Sequence, residues 1–188
     1  MLSVFCSPSR YTQGKNATAV LGAEMAGLGL SGPVLIVSGR SPIRLLADVW
    51  QRTFAEAGMA YAVHEFAGEC SLAEIERIKG AARQLKAQVI VGAGGGKVLD
   101  AGRAAAADLN LPVVNCPTVA SSDAPCSALS VIYSDEGVVE GSRFYRKNPD
   151  LVLVDTQVVA LSPPRLLVAG MGVALATWFE AKTCADGH

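Results

Sequence analysis

The chain has 188 residues, 16 Lys+Arg against 17 Asp+Glu, a net charge of −1 and 51% hydrophobic residues, which predicts an ordinary soluble globular protein with one good core, or one domain plus part of another. Near-neutral charge without a basic face speaks against nucleic acid and against an anionic membrane surface as partners. Charges or turn residues interrupt every apolar run, so no membrane span is predicted. The opening Met1-Leu2-Ser3-Val4-Phe5-Cys6 has neither a basic n-region nor a long apolar core, so no signal peptide is predicted and a cytoplasmic location is expected. Five cysteines (Cys6, Cys70, Cys116, Cys126, Cys184) without C-x-x-C spacing read as reduced thiols.

In chain order, Val34-Leu35-Ile36-Val37 is an apolar β run, and residues 42–56 carry helical periodicity through Leu45, Leu46, Val49, Trp50 and Phe54. Residues 61–66 alternate as a strand. Ser71-Leu72-Ala73-Glu74 has the spacing of a capping box and opens a helix to about Lys86. A strand at 88–91, a helix at 97–109 and a strand at 113–116 follow. Strand–helix repetition of this kind predicts an α/β fold: a Rossmann-like parallel sheet with helices on both faces. Residues 129–133 and 138–144 flank Ser134-Asp135-Glu136-Gly137 and read as a β-hairpin. Residues 151–154 return to the sheet with Asp155-Thr156 at the carboxyl end. Ser162-Pro163-Pro164 reads as a cap and early proline opening a helix over 165–184, amphipathic to wholly apolar and in need of a partner face. The expected division is a dinucleotide-binding domain at 1–160, and at 161–188 the first helix of an otherwise absent all-α domain.

Two segments carry chemistry. Gly94-Gly95-Gly96-Lys97-Val98-Leu99-Asp100 follows an apolar strand and opens a helix, which aims backbone N–H groups and a helix N-terminus at one point suited to a pyrophosphate. Glycine suits the place because a Cβ would hold a phosphate off the backbone and because tight turns call for positive φ. The run matches neither G-x-G-x-x-G nor the Walker spacing, and a plain tight turn is the competing reading. The second segment is Pro117 through Tyr133, whose connection ahead of Leu129 crowds four hydroxyls (Thr118, Ser121, Ser122, Ser127) and Asp123 together. It suits ribose, phosphate and carboxamide contacts, or alternatively a set of ST- and Asx-turns serving only the backbone.

With these segments the chain resembles the glycerol dehydrogenases of the metal-dependent, iron-type alcohol dehydrogenase family. The likeness rests on Gly94-Gly95-Gly96-Lys97 with Asp100, Pro117-Thr118, Ser122-Asp123-Ala124-Pro125 and the run from Ser127 to Tyr133. Ser142 through Thr156 and Pro164-Arg165-Leu166-Leu167 extend it, so that it covers almost the whole chain. The resemblance implies NAD-linked oxidation of a small polyol, glycerol to dihydroxyacetone. The pyrophosphate would lie on Gly95, Gly96 and Lys97, with Asp100 in the same motif. Thr118, Ser121, Ser127, Leu129 and Tyr133 would contact the adenine, ribose and nicotinamide portions, and Asp123 the substrate hydroxyl. On local grounds Lys97 reads equally as a solvated side chain, Asp123 as a turn cap, and Asp100 as a carboxylate complementing the helix dipole.

Two places depart from the family pattern. Gly39 stands where an aspartate usually accepts from the adenosine ribose; with Arg40 beside it, NADP would be admitted, although Arg40 also reads as simply solvated. Val173 stands where the family's metal-binding aspartate belongs, and the two histidine ligands would lie beyond residue 188. His64 and His188 read as structural or incidental. The family's zinc or iron ion is therefore expected to be absent, and no metal ligand is assigned. The sequence leaves open an impaired, C-terminally shortened polyol dehydrogenase, a catalytically silent dinucleotide-binding or interaction module, and a remnant without a role. Self-association through the apolar C-terminal helix, or a homo-oligomer, accompanies these readings.

Overall fold

The computed structural model describes residues 4–187. Met1, Leu2, Ser3 and His188, on which the readings of an absent leader and an incidental terminal histidine partly rest, lie outside the described residues. Strands β1 (Tyr11–Gly14), β2 (Val34–Ser38), β3 (Tyr61–Glu65), β4 (Val89–Gly94), β5 (Val113–Pro117) and β8 (Leu151–Asp155) form one sheet. Its order is β1-β8-β5-β4-β2-β3, and every neighbouring pair is parallel. The hairpin β6 (Leu129–Tyr133) and β7 (Val139–Phe144) is a separate antiparallel pair. The helices are α1 (Leu21–Gly27), α2 (Arg40–Glu56), α3 (Leu72–Leu85), α4 (Gly96–Leu109), α5 (Thr156–Ala160) and α6 (Pro164–Asp186), with a short 3₁₀ turn at Ala17–Val20.

The central strands β2, β4 and β5 are buried at every position because both of their faces are covered. In β2, Val34 and Ile36 pack with Leu21, Met25, Leu46, Trp50 and Phe54 of α1 and α2. Leu35 and Val37 turn the other way, toward Ile75 and Ile78 of α3 and Ala101 and Ala105 of α4. The period of two thus sorts one strand into two cores. Glycine lets α4 lie close to its strand: a Cβ added to Gly92 would sit 3.3 Å from the Leu99 Cα.

Three local expectations change in the structure. Ser71 caps α3 and accepts from the Glu74 amide at 3.3 Å, but the Glu74 carboxylate does not return to the cap. It is buried instead, meeting His64 Nε2 at 3.1 Å and Arg77 Nε at 2.7 Å. Pro163, not Ser162, occupies the cap position of α6; the Ser162 hydroxyl donates to the Val159 carbonyl at 2.7 Å. None of Gly94, Gly95 and Gly96 has positive φ, so turn strain is not the reason for glycine there. β4 runs on through Gly94, and a Cβ at that residue would lie 2.8 Å from the Val98 side chain. The strand β1 and helix α1 have no clear periodic signal. β1 is a four-residue edge strand, half exposed, and α1 buries only Leu21, Gly22 and Met25.

Candidate dinucleotide site

From β2 the chain enters α2 on one face of the sheet, and from β4 it enters α4 on the other. The crevice outside the carboxyl ends of β2 and β4 is therefore the topological switch point, where open α/β sheets receive ligands. A cleft of about 690 Å³ lies there, lined by Gly39, Ser41 and Pro42 after β2, by Gly94–Val98 after β4, and by Thr118, Val119 and Ser121 after β5. Leu161, Ser162, Pro163 and Leu166 close it from the α5–α6 side.

Gly95 is the cap residue of α4 with an extended backbone, and no side chain caps the helix. Its first-turn N–H groups are thus left for an anion, with the helix dipole favouring negative charge at the same point. A Cβ on Gly96 would lie 3.4 Å from Ser122 Oγ and 3.6 Å from Ala124 Cβ, and so would fill the gap between helix start and loop. The donor set and this narrow gap suit a pyrophosphate. Lys97 is not a free solvated side chain: its ammonium pairs with Glu69 and sits 4.6 Å over the Tyr133 ring centroid. Sequence reading did not single out Glu69, which lies 28 residues earlier and shares no local pattern with Lys97.

A smaller pocket of about 260 Å³ adjoins the cleft through Gly96, Lys97 and Ser121. It gathers Asp100, Asp123, Ser127, Leu129 and Tyr133, so that every residue assigned from the sequence lines one pocket or the other; Thr118 is in the first. Asp123 also borders a third, more apolar pocket with Tyr11, Gln13 and Thr156. Asp100 is engaged internally. Its carboxylate accepts from Arg103 Nη1 at 2.7 Å and from the Val131 amide at 3.1 Å, and burial pushes its pKa above the ordinary carboxylate range. Arg103, absent from the sequence-derived set, is 2% exposed and donates to the Ala124 and Leu129 carbonyls as well. The only local hint of its place is the three-residue spacing from Asp100 on a helix.

At the end of β2, Arg40 donates through Nε and Nη2 to one oxygen of Glu65, at 3.0 and 2.8 Å. Space remains at Gly39, where an added Cβ would find only Pro42 Cδ at 4.0 Å. Among the described residues no three His, Cys, Asp or Glu side chains gather as a metal site, and Val173 lies 40% exposed on α6. The described residues by themselves therefore do not assemble the three protein ligands that a zinc or iron ion wants.

Residues 8–156 match the sequence profile described as iron-containing alcohol dehydrogenase. The chain belongs to the iron-containing alcohol dehydrogenase family. Among family relatives, a glycerol dehydrogenase of Escherichia coli O6:H1 is 43% identical over 178 residues, covering 95% of this chain and 48% of that protein. A glycolaldehyde reductase of Halobacterium salinarum is 44% identical over 186 residues, covering 99% of this chain and 50% of that one. The crystal structure of a probable glycerol dehydrogenase from Sinorhizobium meliloti 1021 superposes with a TM-score of 0.86 at 37% identity, over 95% of this chain and 48% of that one. The chain thus spans about half the length of the curated relatives it matches. The fold shared with that structure is the parallel sheet and its helices.

Proposed function

We propose that these residues form the cofactor-binding part of an NAD-linked oxidoreductase of small polyols. Oxidation of glycerol to dihydroxyacetone is the reaction that the glycerol dehydrogenase relatives favour. The observation that carries the reading is the uncapped start of α4 at the β2/β4 switch point, facing a cleft edged with hydroxyls. Gly95 and Gly96 would give N–H groups to the pyrophosphate, with Lys97 beside it. Thr118 and Ser121 would hold adenosine-side hydroxyls; Ser127, Leu129 and Tyr133 would flank the nicotinamide end. Bound there, the dinucleotide would supply the hydride acceptor. Asp123 would accept a hydrogen bond from a substrate hydroxyl and so orient the carbon that gives up hydride.

We further propose that the dinucleotide-binding domain ends near residue 160 and that 161–188 begins a separate helical domain. Turnover of glycerol then calls for metal ligands that the described residues do not supply. Calorimetric titration with NADH is expected to give saturable binding, and Gly96→Val, which puts branched carbon into the gap beside Ser122, to weaken it by more than about tenfold. Unchanged affinity in that variant would move the pyrophosphate off this loop.

A further inference from the structure

The loop from 118 to 128 contains no helix or strand, yet it carries Ser121, Asp123 and Ser127 and leads into Leu129. Its position relative to the phosphate-side glycines is set by side chains. Asn115 Nδ2 donates to the Pro125 carbonyl and Asn148 Nδ2 to the Cys126 carbonyl, each at 2.8 Å. These hold the middle of the loop to β5 and to the segment after the hairpin. The two flanks are held differently. Arg103 reaches from the second turn of α4 to the carbonyl of Ala124, next to Asp123, and to the carbonyl of Leu129. Asp100 fixes the guanidinium in turn, takes the Val131 amide, and offers its own carbonyl to the Ser130 hydroxyl at 2.8 Å.

We propose that Arg103 is a positioning residue for the nicotinamide end of the dinucleotide, tying the Asp123 and Leu129 flanks of the loop to the same helix whose first turn meets the phosphates. The inference rests on the dinucleotide reading above. A guanidinium suits the task because its planar fork donates in several fixed directions at once, and charge-assisted hydrogen bonds to two carbonyls and a carboxylate are the strong kind. Lysine at this place could satisfy only part of that set. The adenosine side and the glycine wall of the phosphate gap are built without Arg103, on Gly39, Gly94–Lys97 and Thr118, and the facing Ala124 keeps a second hold through the Asn115 bond to Pro125. Loss of Arg103 therefore separates the two halves of the ligand, while Asn115 and Asn148 keep the loop folded.

Calorimetry with NADH and with ADP, which shares only the adenosine and pyrophosphate portion, tests this on the wild-type chain, Arg103→Met and Arg103→Lys. Arg103→Met is expected to weaken NADH by about tenfold or more while ADP stays within about twofold, and Arg103→Lys to fall between. Arg103→Met leaves Asp100 buried beside no cation, so the double variant Asp100→Asn/Arg103→Met is measured alongside; it keeps an acceptor for the Val131 amide and is expected to show the same split. Equal losses for NADH and ADP in these variants would reduce Arg103 to a fold-maintaining residue and overturn the proposal. Unchanged NADH affinity would overturn it as well. A wild-type chain that binds neither ligand would refute the dinucleotide reading itself, before any variant is compared.

Discussion

Gly39 follows β2 as the cap residue of α2, with an extended backbone and space where a side chain would stand, so an acidic residue can be placed there without strain. A carboxylate at the end of this strand accepts from ribose hydroxyls and repels a 2′-phosphate. Gly39→Asp is therefore expected to weaken NADP by about tenfold relative to NAD, measured by competitive calorimetry. An equal response to both would place residue 39 away from the ribose. Arg40 is paired with Glu65 across the surface, so a 2′-phosphate would have to share its guanidinium with that carboxylate. A second residue-scale expectation concerns Asp108. Burial works against its charge, but hydrogen bonds from Arg143 and Lys79 together outweigh that and hold its pKa below the ordinary range. A depressed folded pKa means stability that is present above the unfolded value and lost as pH falls through the folded one. Asp108→Asn should cost about 1 kcal/mol at neutral pH, in keeping with a partly exposed pair network, and almost nothing once both chains are below the carboxylate range. Urea denaturation across pH 7 to pH 2 checks the sign, the difference between the two chains shrinking as pH falls.

Two helical glycines answer the same substitution in opposite ways, for reasons of packing between elements. Gly22 of α1 faces α2 so closely that an added Cβ would lie 2.8 Å from Ala57 Cβ and collide with the Thr53 carbonyl, and its amide donates to Thr53 Oγ1 at 2.9 Å. Gly22→Ala must push the helices apart and is expected to cost about 1–3 kcal/mol. Gly102 of α4 would meet only ordinary contacts, at 3.6–3.9 Å from Gly92 and Ile90. There Gly102→Ala gains up to about 1 kcal/mol from helix propensity. Thermal melts of the two variants should move in opposite directions. The elements themselves were largely readable from sequence, since buried parallel strands appear as short apolar runs and α3 carries its own cap. β1 was not readable: Tyr11-Thr12-Gln13-Gly14 is an edge strand with little to bury, held by pairing to β8 some 140 residues away.

At the scale of the whole molecule, α6 stands apart from the two cores. No residue of it is buried, and Leu175, Trp178 and Phe179 are each more than half exposed. Its start nevertheless meets the candidate site: Leu166 lines the cleft at the β2/β4 switch point, and Gly170 lies so close to Ala120 that a side chain there would run into the loop backbone. Apolar area of this extent drives association in water. Sedimentation velocity should show concentration-dependent species above the 19.5 kDa monomer, and a Leu175→Glu/Phe179→Glu variant should return the chain toward that mass. Monomeric behaviour of the unaltered chain at high concentration would remove α6 as an association surface.

What the residues determined by themselves is what depends on near neighbours. Strand and helix periods, the Ser71 cap, the turn at Ser134-Asp135-Glu136-Gly137 and the glycine-to-helix step at Gly94-Gly95-Gly96-Lys97 need no more than a few adjacent positions. The assigned pocket residues came from the family resemblance instead; the structure shows that they line two adjoining pockets, because β4, β5 and the loop after β5 end on one edge of the sheet. The tertiary structure alone decided which charges the site keeps for itself. Lys97 was met by Glu69, Asp100 was drawn inward by Arg103 and Val131, and Glu74 was taken from its helix cap by His64 and Arg77. A charged side chain that loses water settles on whatever opposite charge the fold brings within reach, and that partner is set by strand order and packing, not by spacing along the chain.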